Sequence, residues 1–143
     1  LSLVGSEMCI RDRRGSLKYS DSEWCTWNDN DSVSFTIDLL KPETLNTLTL
    51  GCITNNGMAI HKPSSVKVEV SDDNSSFCEA AMRSFTPEEI FREGNFIENL
   101  PLKLRGTQAR YVRVTAKGPG VCPASHVRPG QVSRILFDEM ILE

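Results

Sequence analysis

The chain has 143 residues, of which 39% are hydrophobic and 24% charged, and its formal net charge is -3. This length fits one domain, and the apolar fraction is high enough for a packed core. Sixteen Lys and Arg against nineteen Asp and Glu give no basic excess for nucleic acid. Two histidines and five cysteines offer little for a metal cluster or for a proton-transfer site. Since the apolar runs are also short, the composition disfavours a polynucleotide binder, a membrane-spanning protein and a stand-alone enzyme.

The first 13 residues differ from the rest of the chain. Their sequence, LSLVGSEMCIRDR, resembles a translated sequencing adapter. Glu7 interrupts the apolar run, which is too short for a signal peptide. We therefore interpret residues 1–13 as a non-native segment, with a disordered native terminus as the alternative. The folded domain is expected to comprise residues 14–143.

Most of the remaining chain shows the period-two alternation of half-buried strands. In the clearest case, Val66 and Val68 point to one side while Lys67 and Glu69 point to the other. The same alternation predicts strands over residues 33–39, 45–52, 65–71, 109–116 and 134–142. Strands at this spacing without alternating helices predict an all-β fold, an antiparallel sandwich or barrel.

Two shorter segments have turn and helix chemistry. The run SDDNSS after the third of these strands is a turn, because Asp, Asn and Ser side chains bond their own backbone. In TPEEIFREG, Thr86 is the expected N-cap, Pro87 the first helical residue and Glu89 the partner in a capping box. Gly94 fits the end of this short helix.

Several of these segments together resemble the discoidin-like domain, also called the factor V/VIII type C domain or family 32 carbohydrate-binding fold. The resemblance lies in RGS and SEWCTW, FTIDLLKPETLNTLTLG, KPSSVKVEVSDDNSSF, ARYVRVTAK and the final FDEMIL. It implies an antiparallel jelly-roll β-sandwich of the galactose-binding-domain-like type.

Two segments resemble a narrower group. KPSSVKVEVSDD and GPGVCPASHVRPGQVSRILFDEM are similar to the C-terminal domain of bacterial family 20 glycoside hydrolases, the exo-acting β-N-acetylhexosaminidases. This implies a non-catalytic accessory domain from a periplasmic, outer-surface or secreted enzyme. Its partner would be a weakly bound glycan or the catalytic barrel of the parent enzyme. The alternative is an interaction or adhesion domain that binds no sugar.

The resemblance directs attention to loops at one end of the sandwich, where sugar-binding relatives place hydrogen-bonding side chains. The segment NNGMAIHKP offers planar and charged donors, namely Asn55, Asn56, His61 and Lys62. The related hexosaminidase domains carry a tryptophan in this loop, which weakens an inherited sugar site here. For His61 the alternative is an exposed histidine without a role.

Tryptophan rings are the usual platforms for sugar rings because they offer a large contact area at low entropic cost. Trp27 is therefore a candidate, although burial in the core is the more common role of this position and of Trp24. His126 and Arg128 lie in GVCPASHVRPG, a long irregular segment of the kind that often carries function. That segment would contact either a sugar or the catalytic barrel.

Many discoidin-like modules hold a structural calcium ion between an early loop and a late glutamate. By spacing, Ser16 and Glu139 match two of its ligands, and calcium needs six to eight oxygens. The aspartate of the family falls at Arg11, and Asp12 is one position out of register. We therefore expect an incomplete calcium site in this chain, with a complete one in the parent protein. Pairing of Glu139 with an arginine is the alternative.

The four cysteines after the first segment allow three disulfide pairings if all are bridged: Cys25, Cys52, Cys78 and Cys122. No C-x-x-C pair is present, which disfavours zinc and thioredoxin-type chemistry. We expect mostly buried free thiols, with Cys122 the most exposed.

The sequence contains no catalytic motif of its own. The acidic pairs Asp72-Asp73 and Glu88-Glu89 are explained by the turn and by the helix cap. Glycosidase chemistry needs two carboxyl groups across a cleft, and the related enzymes carry these on their barrel. We therefore expect no catalysis by this chain.

Overall fold

The computed structural model of the protein describes residues 8–11, 18, 20, 25–27 and 32–143. Within them the strands are β1 (Met8–Arg11), β2 (Cys25–Trp27), β3 (Val33–Asn55), β4 (Ser65–Ser71), β5 (Cys78–Ser84), β6 (Asn95–Lys117) and β7 (Ile135–Leu142). One α-helical turn, α1 (Pro87–Ile90), and one 3-10 turn (Asn56–Met58) complete the regular structure. No helix in the described part of the chain is long and apolar enough to cross a membrane.

All strand pairings are antiparallel, and they follow the order β1-β7-β3-β6-β4-β5, with β2 also paired to β7. The strand β1, which pairs with the end of β7, lies in the segment that the sequence predicts to be non-native. The two longest strands, β3 and β6, have 23 residues each and form the centre of this arrangement.

Both central strands bend about midway, and the bend makes two layers from one continuous sheet. Their register shifts between Asp38 and Glu43 and again between Leu45 and Thr47. In the first layer, the part of β3 before the bend pairs with β6, β6 pairs with β4, and β4 pairs with β5. In the second layer, the part of β3 after the bend pairs with β7, and β7 pairs with β1 and β2. The predicted all-β antiparallel sandwich is confirmed.

The apolar core lies between the two layers. Val66 and Val68 from β4 belong to the same buried cluster as Leu48 and Leu50 from β3. These are positions that the period-two alternation assigns to an inward face, and each is at most 1% exposed. A smaller cluster of Ile53, Ile60 and Leu136 lies beside it.

The helical turn has the predicted cap. The Thr86 hydroxyl accepts a hydrogen bond from the Glu89 backbone N–H, and the Glu89 carboxylate accepts one from the Thr86 N–H. The bonds that the Thr86 N–H and the Thr86 hydroxyl donate to the Glu89 carboxylate lower the pKa of Glu89. The helix ends at Ile90, earlier than the predicted stop at Gly94, which has a left-handed φ of 125°.

The turn after β4 also has the predicted chemistry. The carboxylate of Asp73 accepts hydrogen bonds from the backbone N–H groups of Ser76 and Ser75 and from the Ser71 hydroxyl, and these bonds lower its pKa. The far ends of β4 and β5 are therefore joined by a self-contained turn.

The cysteines depart from prediction in one respect. Cys52 and Cys122 are buried, whereas Cys78 in β5 is exposed, and no disulfide joins these three residues. The expectation that Cys122 is the most exposed thiol is wrong, because its side chain packs inward against Ser133 although most of its loop is exposed.

Candidate functional site

Three irregular segments meet at one end of the sandwich, and backbone hydrogen bonds hold them together. They are residues 55–64, 85–94 and 118–134. The Asn56 N–H donates to the Gly94 carbonyl at 3.0 Å, and the His61 N–H donates to the Arg134 carbonyl at 3.1 Å. These bonds cross from one segment to the next, so the three loops form one surface.

This surface contains a cleft of about 260 Å³. One wall comes from the helical turn and the residues after it, including Phe91, whose ring is half-buried. The opposite wall comes from the long loop, through Pro123 and Ser125. The cleft is therefore lined by both apolar and polar side chains.

Acceptor groups line the cleft. The Oδ1 atom of Asn56 is buried and accepts no hydrogen bond from the described residues. Glu88 and Glu93, both exposed, add two carboxylates at the rim. A buried acceptor without a donor is costly to a folded protein, so Asn56 is suited to a ligand that supplies a hydroxyl or amide donor.

His126 forms part of the cleft floor and contacts His61 beneath it. Their Nε2 atoms are 2.9 Å apart. The Arg128 N–H donates to His126 Nδ1 at 2.9 Å, so a neutral His126 carries its proton on Nε2 and donates it to His61. Burial, reinforced by the nearby His126, lowers the pKa of His61 from 6.5 to about 4, against a small opposing contribution from the Ile90 backbone.

Lys62 is also buried, and it is stabilised by two partners. Its ammonium lies 2.7 Å from the Glu98 carboxylate and 5.1 Å from the centre of the Phe85 ring. Its side chain is 7% exposed. A buried cation needs such partners because leaving water without them is expensive.

The structure therefore separates the residues that the sequence groups as sugar ligands. Asn56 and His126 line the cleft, whereas His61 is fully buried and Lys62 is held inside the end of the sandwich. The expectation of an exposed histidine in NNGMAIHKP is wrong for His61. The reason is that Asn55 and Ile60 exchange backbone hydrogen bonds, which turns the following residues inward.

Two further candidates lie outside the cleft lining. Arg128 is exposed and donates to the Gly57 carbonyl and to the Gln131 side chain, so it joins the long loop to the 3-10 turn. Trp27 pairs through its backbone with Ile135 of β7. The Trp27 side chain and the whole of Trp24 lie outside the described residues, and their roles stay predictions.

The long loop brings a third reactive side chain to the histidine pair. Cys122 Sγ lies 3.5 Å from the Ser133 hydroxyl, and the donor atoms of His61, Cys122 and His126 all lie within 4.8 Å of one another. Sequence reasoning missed this cluster because the two histidines are 65 residues apart. The four-residue spacing of Cys122 and His126 was the one available signal.

The calcium prediction concerns a different region. Ser16 lies outside the described residues. Glu139 is half-buried, and no cation among the described residues forms an ion pair with it. The buried carboxylate of this strand is Asp138 instead, at 2% exposure. The register against β3 slips between Met140 and Phe137, and this bulge changes which residues of β7 point inward.

The family model of the F5/8 type C domain matches residues 12–128. The chain belongs to this family. A comparison with curated proteins found no match.

Solved structures with the same fold include carbohydrate-binding modules. CpGH89CBM32-6 from Clostridium perfringens is similar at a TM-score of 0.52 and 11% identity, over 96% of this chain and 92% of that one. CpGH89CBM32-5 from the same organism, solved in complex with GalNAc-β-1,3-galactose, has a TM-score of 0.48 and 15% identity over 92% and 91%. The C-terminal domain of a chitobiase from Bacteroides fragilis has a TM-score of 0.43 and 17% identity over 80% and 67%.

Proposed function

We propose that this F5/8 type C domain binds a glycan in the cleft between its three end loops. The observation that carries the proposal is the cleft itself, which is lined by the half-buried Phe91 and by Asn56, whose buried Oδ1 has no donor among the described residues. The family assignment and the fold shared with a carbohydrate-binding module support it.

The lining suits a sugar ring. The C–H face of a sugar packs on an aromatic ring, which offers a large apolar area at low entropic cost. Sugar hydroxyl and acetamide N–H groups donate to acceptors such as the Asn56 amide oxygen and the carboxylates of Glu88 and Glu93. The cleft has room for one ring rather than a long chain, so we expect weak binding of a terminal sugar.

The two rim carboxylates favour binding over hydrolysis. A glycosidase needs one carboxyl group that stays protonated near neutral pH, and burial in an apolar pocket is the usual means. Glu88 and Glu93 are both exposed. The domain is therefore proposed to be non-catalytic in its own right.

We infer that the parent protein is an exported exo-β-N-acetylhexosaminidase. This rests on the similarity of KPSSVKVEVSDD and GPGVCPASHVRPGQVSRILFDEM to domains that follow family 20 barrels. In that setting the domain would bring the enzyme to glycans that end in N-acetylglucosamine, N-acetylgalactosamine or galactose. The upstream reading frame of the gene tests the inference, since a family 20 barrel must be encoded there.

Calorimetric titration with these three sugars at millimolar concentration tests the binding proposal. Phe91→Ala is expected to weaken binding about tenfold or more. Phe77→Ala is the matched control, because this ring packs against Arg113 on the body of the sandwich and not at the cleft. Absence of any sugar binding, or equal losses in the two variants, would overturn the proposal. A chromogenic hexosaminide assay on the same protein should show no turnover.

A second candidate function is docking on the catalytic barrel of the parent enzyme. It is favoured by three exposed valines on the long loop, Val121, Val127 and Val132, at 50%, 66% and 43% exposure. Co-purification of the domain with that barrel, lost in Val127→Ser but retained in Phe91→Ala, would support docking. The converse pattern would favour the cleft.

A further inference from the structure

His61, Cys122 and His126 form a buried set of three potential metal ligands at and beneath the cleft floor. Their donor atoms all lie within 4.8 Å of one another, and all three residues are at least nine-tenths buried. We propose that this trio binds a transition-metal ion, Zn²⁺ above all. The inference is independent of the proposed sugar binding, although His126 belongs to both regions.

The donor chemistry selects the class of metal. Imidazole nitrogen and thiolate sulfur are borderline and soft ligands, which suit Zn²⁺ and poorly suit Ca²⁺ or Mg²⁺. Two histidines and one cysteine would supply three protein ligands of the types that Zn²⁺ takes, and a water molecule would complete the tetrahedron. Zn²⁺ bound by one thiolate and two neutral imidazoles would have a net charge of +1. The carboxylates of Glu88 and Glu93, which line the same cleft as His126, would stabilise that charge.

The ligand geometry requires only small shifts of the three donor atoms. The Nε2 atoms of His61 and His126 are 2.9 Å apart. Two Zn–N bonds of about 2.0 Å at a tetrahedral angle separate the nitrogens by about 3.3 Å, and the sulfur would lie about 3.5 Å from each nitrogen. The two rings must therefore part slightly while the sulfur approaches. Cys122 and His126 both lie on the irregular loop 118–134, where such adjustment is least costly.

His61 supplies the fixed side of the site. Its backbone N–H is bonded to the Arg134 carbonyl, and its ring packs edge-on against Phe91 with centroids 5.1 Å apart. Its Nε2 lone pair already faces His126. Its Nδ1 is buried, lies near the Ile90 backbone and makes no hydrogen bond of normal geometry with the described residues.

Binding has a definite proton balance. The Cys122 thiol loses its proton to solvent as the Zn–S bond forms. His126 must free its Nε2, so its proton moves to Nδ1, and the hydrogen bond that Nδ1 accepts from the Arg128 N–H is broken. His61 coordinates through a nitrogen that carries no proton. One proton is thus released for each Zn²⁺, and the loop around Arg128 changes conformation.

Titration of the metal-free protein with Zn²⁺ and with Co²⁺ tests the proposal. We expect one equivalent to bind, the midpoint of thermal unfolding to rise, and about one proton to be released per Zn²⁺ near neutral pH. The Co²⁺ form should show a thiolate-to-cobalt charge-transfer band and the strong visible bands of four-coordinate cobalt. These spectra identify the atoms that bind the metal, and their interpretation does not depend on whether the domain binds sugar.

Three variants separate the site from adventitious binding. Cys122→Ser should abolish the charge-transfer band and weaken Zn²⁺ binding about 100-fold, a loss typical of removing a metal ligand. His126→Gln should weaken it similarly. Cys78→Ser is the control, since it removes the exposed thiol in β5, and should leave both the band and the affinity unchanged. The proposal is overturned if the unaltered protein binds no Zn²⁺ at micromolar concentration, or if Cys122→Ser retains the band.

Discussion

The two ends of the sandwich differ in how completely their polar side chains are hydrogen-bonded. At the end away from the cleft, Arg110 makes a bidentate pair with Asp38 and the Asp73 carboxylate accepts three hydrogen bonds within its own turn. At the cleft end lie three buried side-chain atoms that have neither a hydrogen bond of normal geometry nor an ion pair among the described residues. They belong to Thr54, Asn56 and His61.

This difference indicates that polar residues at the far end stabilise the fold, whereas some of those at the cleft end have a role in binding. Buried polar groups in folded proteins are almost always satisfied, and an exception calls for a ligand, an ion or a mechanism. The glycan proposal supplies a partner for one of these atoms, Asn56 Oδ1, and the metal proposal concerns the same end of the sandwich. The following measurements test how far the two ends really differ.

The largest expected effect is a loss of stability on mild acidification that comes from the cleft end. The pKa of His61 is lowered from 6.5 to about 4 in the folded protein. Between these values the unfolded chain takes up a proton that the folded protein does not, so stability falls as pH falls. The loss approaches about 3 kcal/mol at pH 4 and is absent above pH 6.5. Urea unfolding of metal-free protein across this range measures it.

The far end responds in a lower pH window. The Arg110 guanidinium lowers the pKa of Asp38, and hydrogen bonds from Ser76 and its neighbours lower that of Asp73. Their stabilisation is lost only as pH falls below the ordinary carboxylate values, about 4. In His61→Gln, the free energy of unfolding should no longer depend on pH between 4 and 6.5, while its fall below pH 4 should remain. A flat wild-type curve between pH 4 and 6.5 would contradict the burial of a neutral His61.

A smaller effect is expected from the ion pair at the cleft end. Glu98→Gln leaves the Lys62 ammonium, 7% exposed, without its carboxylate at 2.7 Å. Because Glu98 is itself 26% exposed, we expect a loss of about 2 kcal/mol in the free energy of unfolding, below the full cost of breaking a buried pair. Asp38→Asn, which breaks the more exposed pair with Arg110, is the control and should change the urea midpoint much less. Equal losses of unfolding free energy in Glu98→Gln and Asp38→Asn would contradict the proposed difference between the two ends.

The smallest effect on stability is expected at Asn56. Its Oδ1 has no donor among the described residues, so Asn56→Ala removes no hydrogen bond from that atom and should change the free energy of unfolding by less than about 0.5 kcal/mol. Sugar affinity should nevertheless fall clearly in the same titration used for Phe91. A large loss of stability with unchanged sugar affinity would show that Asn56 is a structural residue.

The sequence predicted the parts of the fold that depend on local patterns. Val66 and Val68 alternate with Lys67 and Glu69, and the strand they form buries the two valines. Thr86 and Glu89 form the predicted capping box because all its groups lie within one turn of chain. What the patterns left out is that the segments at 33–39 and 45–52 are one bent strand, since the residues at a bend carry no periodicity of their own.

The site was predicted less well because it depends on contacts between distant loops. His126 reaches His61 only after residues 118–134 fold across the end of the sandwich, and nothing near His61 indicates that contact. The burial of Asp138 instead of Glu139 follows from a one-residue bulge in β7, which the letters FDEM do not reveal. Phe91, assigned only to a short helix, became the aromatic wall of the cleft.

Because β3 and β6 each run through both layers, the two layers are covalently continuous and cannot unfold independently. Each layer of the sandwich is built on half of the same two 23-residue strands, so neither layer can separate from the other without bending or breaking its own hydrogen-bond ladder. Amide exchange along the two strands should accordingly report a single opening event rather than two.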